Sequence, residues 1–191
     1  MALKKIIIST TALSSGQKFL LWFLSLGKIG LCPVAPGTAG SLATVLVLAA
    51  FFYGGRNYLA GWSGQPLFWI ICGGIIILSF YGGLKAINKL HTVLGQEDFS
   101  WIVFDEAVGI FLTTFITLAI VLGRGGAWHS ISWVKFWILI FGSFRIFDIL
   151  KVFPGSWFDK NWVNGAGIML DDLVAALYAG ILSGVTLLFW P

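Results

Sequence analysis

Apolar stretches long enough to cross a hydrocarbon layer follow one another along most of this chain, with few charges inside them. A helix needs about 20 mostly apolar residues to span a bilayer, where it must satisfy its own backbone polar groups. Five stretches qualify: Gly40 into the fifties, Pro66 to Leu84, Ser100 to Leu122, Trp133 to Leu150, and Ile168 to Trp190. Phe19 to Leu31 is apolar but short, and Lys28 interrupts it, which suits an interfacial or re-entrant helix. The expectation is an all-α fold: a polytopic membrane helical bundle of about five spans plus that short N-terminal helix, in a single domain over residues 1–191. Only 10% of the residues are charged, against about 25% in a soluble domain, too few to cover a surface facing water.

The net charge of +4 comes from scattered cations rather than a basic run, which argues against a nucleic-acid partner and fits the positive-inside bias of membrane proteins. Cys32 and Cys72 form no Cys-x-x-Cys pair, and Cys72 lies within an apolar run, so no disulfide is expected. Lys4 and Lys5 before Ile6-Ile7-Ile8 resemble a weak signal peptide, but no cleavage site of the A-x-A type follows, and the segment is read as retained.

Loop charges orient the bundle. Lys4, Lys5, Lys18, Lys28, Lys85, Lys89, Arg145, Lys151 and Lys160 fall on one side, and Arg56, Arg124 and Lys135 on the other. The richer side is assigned to the cytoplasm. All eight acidic residues fall on it too: Glu97, Asp98, Asp105, Glu106, Asp148, Asp159, Asp171 and Asp172. Trp62, Trp101, Trp128, Trp133, Trp157 and Trp190 lie near span ends, as an aromatic belt would.

Four segments on the acidic side could carry chemistry. Pro33 to Ser41 holds a tight turn before an apolar helix, which Thr38 or Ser41 can cap. The free N–H groups there suit phosphate, although the same residues also serve an ordinary helix start. Asp105-Glu106 places two neighbouring carboxylates at a span edge, where they repel unless a proton or cation lies between them. Oxygen ligands of this kind suit Mg²⁺, Mn²⁺ or Ca²⁺, and an ion pair with Arg145 or a lysine would serve as well. Arg145, Asp148 and Lys151, spaced i, i+3, i+6, stripe one helical face until Pro154 stops the helix. The row is either a self-neutralising ladder or two cations for a phosphate with a carboxylate for a metal. Asn164 to Asp172 is a flexible, glycine-rich turn ending in two carboxylates with no lysine nearby in sequence, so Asp171 and Asp172 need a metal or a partner from another helix.

Other hydrolytic chemistries are missing. Thr38 stands where a Cys-x5-Arg phosphatase loop would need arginine after Cys32, and there is no Asp-x-Asp pair or Gly-x-Ser-x-Gly elbow. His91 and His129 have no partners at zinc spacing and read as loop residues.

Taken together and in order, the four segments resemble the phosphatidylglycerophosphatase A family. The matching residues are Pro33 with Ala35-Pro36-Gly37-Thr38 and Gly40-Ser41; Ile102 to Glu106 with Gly109; Phe144 to Lys151; and Gly167 to Asp172. Val152 stands where the family typically has proline, and Ala166 interrupts a glycine-rich approach that varies among members. The resemblance implies a Mg²⁺-dependent lipid phosphatase of a bacterial inner membrane, facing the cytoplasm. It would remove the terminal phosphate of phosphatidylglycerophosphate to give phosphatidylglycerol. It further implies Asp105, Glu106, Asp171 and Asp172 as metal ligands, and Gly37, Thr38, Gly40, Ser41, Arg145 and Lys151 around the phosphate. Asp148 would act as base or further ligand beside Arg145 and Lys151. Membrane lipids are the surrounding partners, and no residue marks an oligomeric state. A phosphatase for another lipid phosphate, or a small divalent-cation transporter, is the alternative that the same carboxylates allow.

Overall fold

A chain this poor in charge can hide its backbone in lipid only by closing every hydrogen bond within helices or around a closed barrel of strands, and helix is the only regular structure among the described residues. The computed structural model describes residues 14–94, 99–124, 131–162 and 164–190. The leader-like Lys4 to Ile8, the acidic Glu97 and Asp98, Trp128 and His129 lie outside them. Seven α-helices are described: α1 (Ser15–Leu24), α2 (Pro36–Trp62), α3 (Pro66–Leu94), α4 (Phe104–Gly123), α5 (Trp133–Leu150), α6 (Gly155–Asn161) and α7 (Gly165–Phe189), with a 3-10 turn at Ile29–Leu31.

Four of them, α2 (over Pro36–Gly55), α3, α4 and α7, are long and apolar enough to cross a membrane. Helix α5 has 18 residues and carries Lys135, Arg145 and Asp148, so its charge sets it apart. Its course is nonetheless transverse. Lys135 Nζ lies 4.7 Å from the Trp190 ring centroid, Ser143 Oγ lies 2.7 Å from Ser183 Oγ, and Lys151 Nζ lies 3.0 Å from Asp171 Oδ2. Numbers on α7 fall as those on α5 rise, so the two helices are antiparallel over their whole length.

Helices α4 and α7 make the most extensive pairing in the bundle, and they run parallel. Thr113 Oγ1 reaches Ala176 O (3.5 Å) and Thr117 Oγ1 reaches Gly180 O (3.3 Å), at a constant offset of 63 residues. Small residues allow this approach: a Cβ on Gly180 would lie 2.7 Å from Ile116 Cβ, and one on Gly184 2.8 Å from Ile120 Cδ1. Close backbone contact is the usual basis of helix association in lipid, where apolar side chains gain nothing by leaving an apolar solvent. Carried toward the N-termini, the Asp105–Gly109–Thr113–Thr117 and Asp172–Ala176–Gly180–Gly184 faces bring the acidic residues of both helices to one end.

The helix limits depart from the sequence reading in instructive ways. Helix α3 continues ten residues past Leu84, because Ala86, Ile87, Leu90 and His91 bury one face of its last turns. At 29 residues it is about 44 Å long, so those turns stand beyond a hydrocarbon layer of ~30 Å. His91 is therefore a buried helical residue, not a loop residue. Helix α4 starts at Phe104 rather than Ser100. The segment before it is pinned: Val103 N donates to Leu24 O at 3.0 Å, and Gly30 lies flush against the Trp101 carbonyl. Trp101 is thereby buried instead of joining a belt, and Trp133 packs on Phe52 and Phe136, whereas Trp62, Trp157 and Trp190 are exposed. Helix α1 has a capping box between Ser14 and Gln17 and spans only about 15 Å at 1.5 Å per residue, too short to cross. Both cysteines are free.

Candidate phosphate and metal chamber

The N-termini of α2, α4 and α7 and the C-terminus of α5 meet around a chamber of about 330 Å³. Each N-terminus directs the partial positive charge of its helix toward it. From α2 come Ala35, Pro36, Gly37 and Thr38; from α4, Asp105 and Glu106; from α5 and its cap, Arg145, Asp148 and Lys151; from α6, Asp159; from α7, Ile168, Asp171 and Asp172. Phe99, Ser100 and Ile102 complete one wall. Of the eleven site residues expected from sequence, nine line the chamber; Gly40 and Ser41 lie behind it.

No side chain caps α2. Its N-cap is Ala35 in the left-handed region (φ 48°), followed by Pro36, and Ser41 Oγ instead donates to Gly37 O at 2.9 Å. Pro36 has no N–H, and Ala39 N is already bonded to Ala35 O, so the open donors are those of Gly37 and Thr38. A Cβ on Gly37 would strike Glu106 Oε1 and lie 3.4 Å from Arg145 Nη1. Glycine thus lets this helix start touch both an acid and a cation of the chamber. Gly40 faces away: a Cβ there would come within 2.7 Å of Val103 Cβ, in the residue before α4.

Asp105, Glu106 and Asp172 each place a carboxylate oxygen within 4.8 Å of the others. Asp105 and Asp172 are buried, and none of the three has a cationic partner among the described residues. Glu106 Oε2 and Asp172 Oδ2 are buried with no hydrogen-bond partner. Three crowded carboxylates with orphaned acceptors form a donor set that fits a hard divalent cation. An ion pair for Asp105-Glu106 is not what is found. Asp171 sits apart from this group, 3.0 Å from Lys151 Nζ.

Arg145 pairs with Asp148 one turn later. Its Nη1 also donates to Ser41 Oγ at 3.4 Å, while its Nε is buried without a partner. The stripe expected through Lys151 breaks at that residue. Lys151 is the left-handed C-cap of α5 (φ 46°), so the helix ends there and Pro154 becomes the N-cap of α6. The turn swings Nζ to Asp159 Oδ1 (2.6 Å) and Asp171 Oδ2 (3.0 Å). Partial burial opposes the charge on Lys151, but the two carboxylates outweigh it and hold its pKa above the ordinary lysine value.

The turn before α7 is held rather than flexible. Asn164 Oδ1 accepts from Ala166 N and Gly167 N, and Asn88 Oδ1 accepts from Gly165 N at 2.8 Å. Gly165 lies against the Leu84 carbonyl and Gly167 against that of Trp162. Asp159 is the charged chamber residue to which sequence reasoning gave no role. Its short helix follows a proline and carries no periodicity that would have aimed it.

Comparison with known proteins agrees in extent with this architecture. The family model described as phosphatidylglycerophosphatase A matches residues 22–187. The chain is 40% identical over 155 residues to a phosphatidylglycerophosphatase A of Haemophilus influenzae, covering 80% of this chain and 78% of that protein. It is 32% identical over 166 residues to a phosphatidylglycerophosphatase A of Escherichia coli, covering 85% and 80%. It is also 33% identical over 156 residues to a Bacteroides thetaiotaomicron protein provisionally named a phosphatidylinositol-3-phosphatase, covering 82% and 86%. No solved structure matches the chain.

Proposed function

We infer that this chain, which belongs to the phosphatidylglycerophosphatase A family, hydrolyses the terminal phosphate of phosphatidylglycerophosphate in the chamber to give phosphatidylglycerol and phosphate. The observation that carries the reading is a pair of opposite deficits in one cavity. Glu106 Oε2 and Asp172 Oδ2 are buried acceptors without donors, and Arg145 Nε is a buried donor without an acceptor. A phosphate monoester with a divalent cation answers both, and neither alone does.

Asp105, Glu106 and Asp172 would hold the cation, which we assign as Mg²⁺. When bound, it supplies charge neutralisation between these carboxylates and the phosphate and activates the attacking water. Arg145 binds a non-bridging phosphate oxygen through Nε, with its other arm fixed by Asp148 and Ser41. The N–H groups of Gly37 and Thr38 close on the same phosphate from the end of α2. Lys151 supplies the second cation, and Asp171 holds it. Asp148 accepts the proton of the attacking water. Donors fixed before substrate arrives need little reorganisation as charge moves in the transition state. Gly40 acts by setting how closely α2 approaches Val103.

The chamber opens at the ends of spans, where a lipid headgroup lies. Cations of the described residues gather at the same end: Lys18, Lys28, Lys85, Lys89, Arg145, Lys151 and Lys160, against Arg124 and Lys135 at the other. That bias supports a cytoplasm-facing site in a bacterial inner membrane. A cation pathway is disfavoured because, among the described residues, the buried polar side chains deeper in the bundle are hydroxyls, and Thr113, Thr117 and Ser143 are bonded to helix carbonyls.

The test is phosphate release from phosphatidylglycerophosphate by detergent-purified protein, with Mg²⁺ and with chelator, beside Asp172→Asn. Release that needs Mg²⁺ and is lost in the variant is expected. Release from a phosphatidylinositol phosphate at higher kcat/KM would reassign the substrate, and ion flux without any release would overturn the reading.

A further inference from the structure

We propose that Asp159 is a positioning residue for the phosphate: it aims the ammonium group of Lys151 so that one N–H remains directed at the substrate. The inference rests on the phosphatase reading of the chamber. An ammonium group has three donors and no acceptor. Asp159 Oδ1 at 2.6 Å takes one and Asp171 Oδ2 at 3.0 Å takes another. The two carboxylates come from different helices, so together they fix Nζ as the legs of a tripod do, and the third donor is left for a ligand in the chamber. Without Asp159, a half-exposed lysine on a flexible four-carbon stem would hinge about a single contact.

The local fold is built for this grip. Lys151 adopts the left-handed turn that throws its side chain off the end of α5. Helix α6 then begins flush against α7, since a Cβ on Gly155 would stand 2.7 Å from Asp171 Oδ1. Asp159 follows Gly155 by four residues, one helical turn, so both look the same way. The helix face that touches Asp171 is therefore the face that delivers Asp159 to Lys151. Trp157, Phe158 and the C-cap Trp162 pack edge to face at centroid distances of 5.2 to 5.9 Å, which braces the back of this seven-residue helix. An acid placed here solely for solubility would not need glycine at the preceding turn.

The experiment compares wild type with Asp159→Asn, Asp159→Glu, Lys151→Met and the Asp159→Asn/Lys151→Met double variant. Steady-state hydrolysis of phosphatidylglycerophosphate is read beside calorimetric binding of inorganic phosphate in the presence of Mg²⁺. Asp159→Asn is expected to raise KM about tenfold with kcat within about twofold, the scale on which residues that orient ligands act. It should weaken phosphate binding by a similar factor, and Asp159→Glu should restore most of both. In the Lys151→Met background, Asp159→Asn should change phosphate binding no further. Unchanged KM and phosphate affinity in Asp159→Asn, or an equal loss with and without Lys151, would overturn the proposal while leaving the phosphatase reading intact. If wild type failed to hydrolyse the lipid yet phosphate binding still depended on Asp159 only through Lys151, the positioning role would stand and the substrate reading would fall.

Discussion

Asp171 and Asp172 are neighbours in sequence but belong to different parts of the chamber: Asp171 accepts from Lys151 Nζ at 3.0 Å, whereas Asp172 joins Asp105 and Glu106 in a group spanning 4.8 Å. Successive residues on a helix point about 100° apart, and α7 uses that angle to serve two sites. From sequence the two carboxylates are equivalent, and loss of either is expected to abolish hydrolysis. The structure separates them. Asp172→Asn is expected to lower kcat by about 100-fold or more, as loss of a main electrostatic element does. Asp171→Asn should cost about tenfold, chiefly in KM, because it frees a cation rather than removing a ligand. Steady-state kinetics of the two variants on one lipid substrate, at saturating Mg²⁺, checks the order.

The three-carboxylate group should destabilise the protein when no cation is bound. Like charges held this close repel, and burial removes the water that would screen them. Glu106→Gln is therefore expected to raise the Tm of chelator-treated protein, by roughly 2–4 °C for each kcal/mol of repulsion relieved. It should also abolish most of the Tm gain that wild type shows on adding Mg²⁺. Thermal unfolding in detergent, scanned with Mg²⁺ and with chelator, reads both effects. A Tm of wild type that ignores divalent cations would remove Glu106 from any metal site.

Two glycines on one helix should fail in different ways. A Cβ on Gly37 meets the Glu106 carboxylate and comes within 3.4 Å of Arg145 Nη1, whereas one on Gly40 meets Val103 Cβ at 2.7 Å. The first neighbours are ends of side chains in the chamber; the second is a branched residue buried at the start of α4. Gly37→Ala is expected to cut kcat/KM by about 100-fold with a small change in Tm, since a shift of about 1 Å at reacting groups carries that cost. Gly40→Ala should instead lower stability by about 1–3 kcal/mol, the usual scale of overpacking, with activity falling as folded protein is lost. Kinetics and unfolding of both variants, side by side, make the distinction.

What could be read from the chain and what could not divide along a physical line. Apolar runs announce spans because lipid leaves a helix no other option, and all five runs are helices. Charged residues at the ends of those runs announce a site because carboxylates there need a partner. Helix ends and side-chain aims are another matter. Nothing at Lys151 signals a left-handed residue; Gly or Asn would have, and a lysine continues the i, i+3, i+6 stripe on paper. Asp159 was invisible as a site residue because its aim depends on where α6 lands against Asp171, a tertiary fact. The glycines before Asp171 read as flexibility, yet Gly165 and Gly167 are there for close approach to the carbonyls of Leu84 and Trp162. Composition alone does not tell those two uses of glycine apart.

The parallel pairing of α4 with α7 ties stability to the site, because each helix carries part of the three-carboxylate group at its N-terminal end. Gly180 lies midway along that interface, where a Cβ would come within 2.7 Å of Ile116. Gly180→Leu should force the helices apart along their length, and the displacement at Asp172 should be felt by Glu106 and Asp105. The expected outcome is a Tm lowered by several degrees together with an apparent Mg²⁺ affinity weakened about tenfold, the scale seen when ligand supports shift. Thr117→Val is the matched control. It removes one hydroxyl bond to Gly180 O, at 3.3 Å, and keeps the volume, so it should cost about 0.6 kcal/mol and leave Mg²⁺ affinity unchanged. Thermal unfolding and Mg²⁺ titration of the two variants test the linkage. If Gly180→Leu lost stability without losing Mg²⁺ affinity, the carboxylate group would not depend on the α4–α7 spacing.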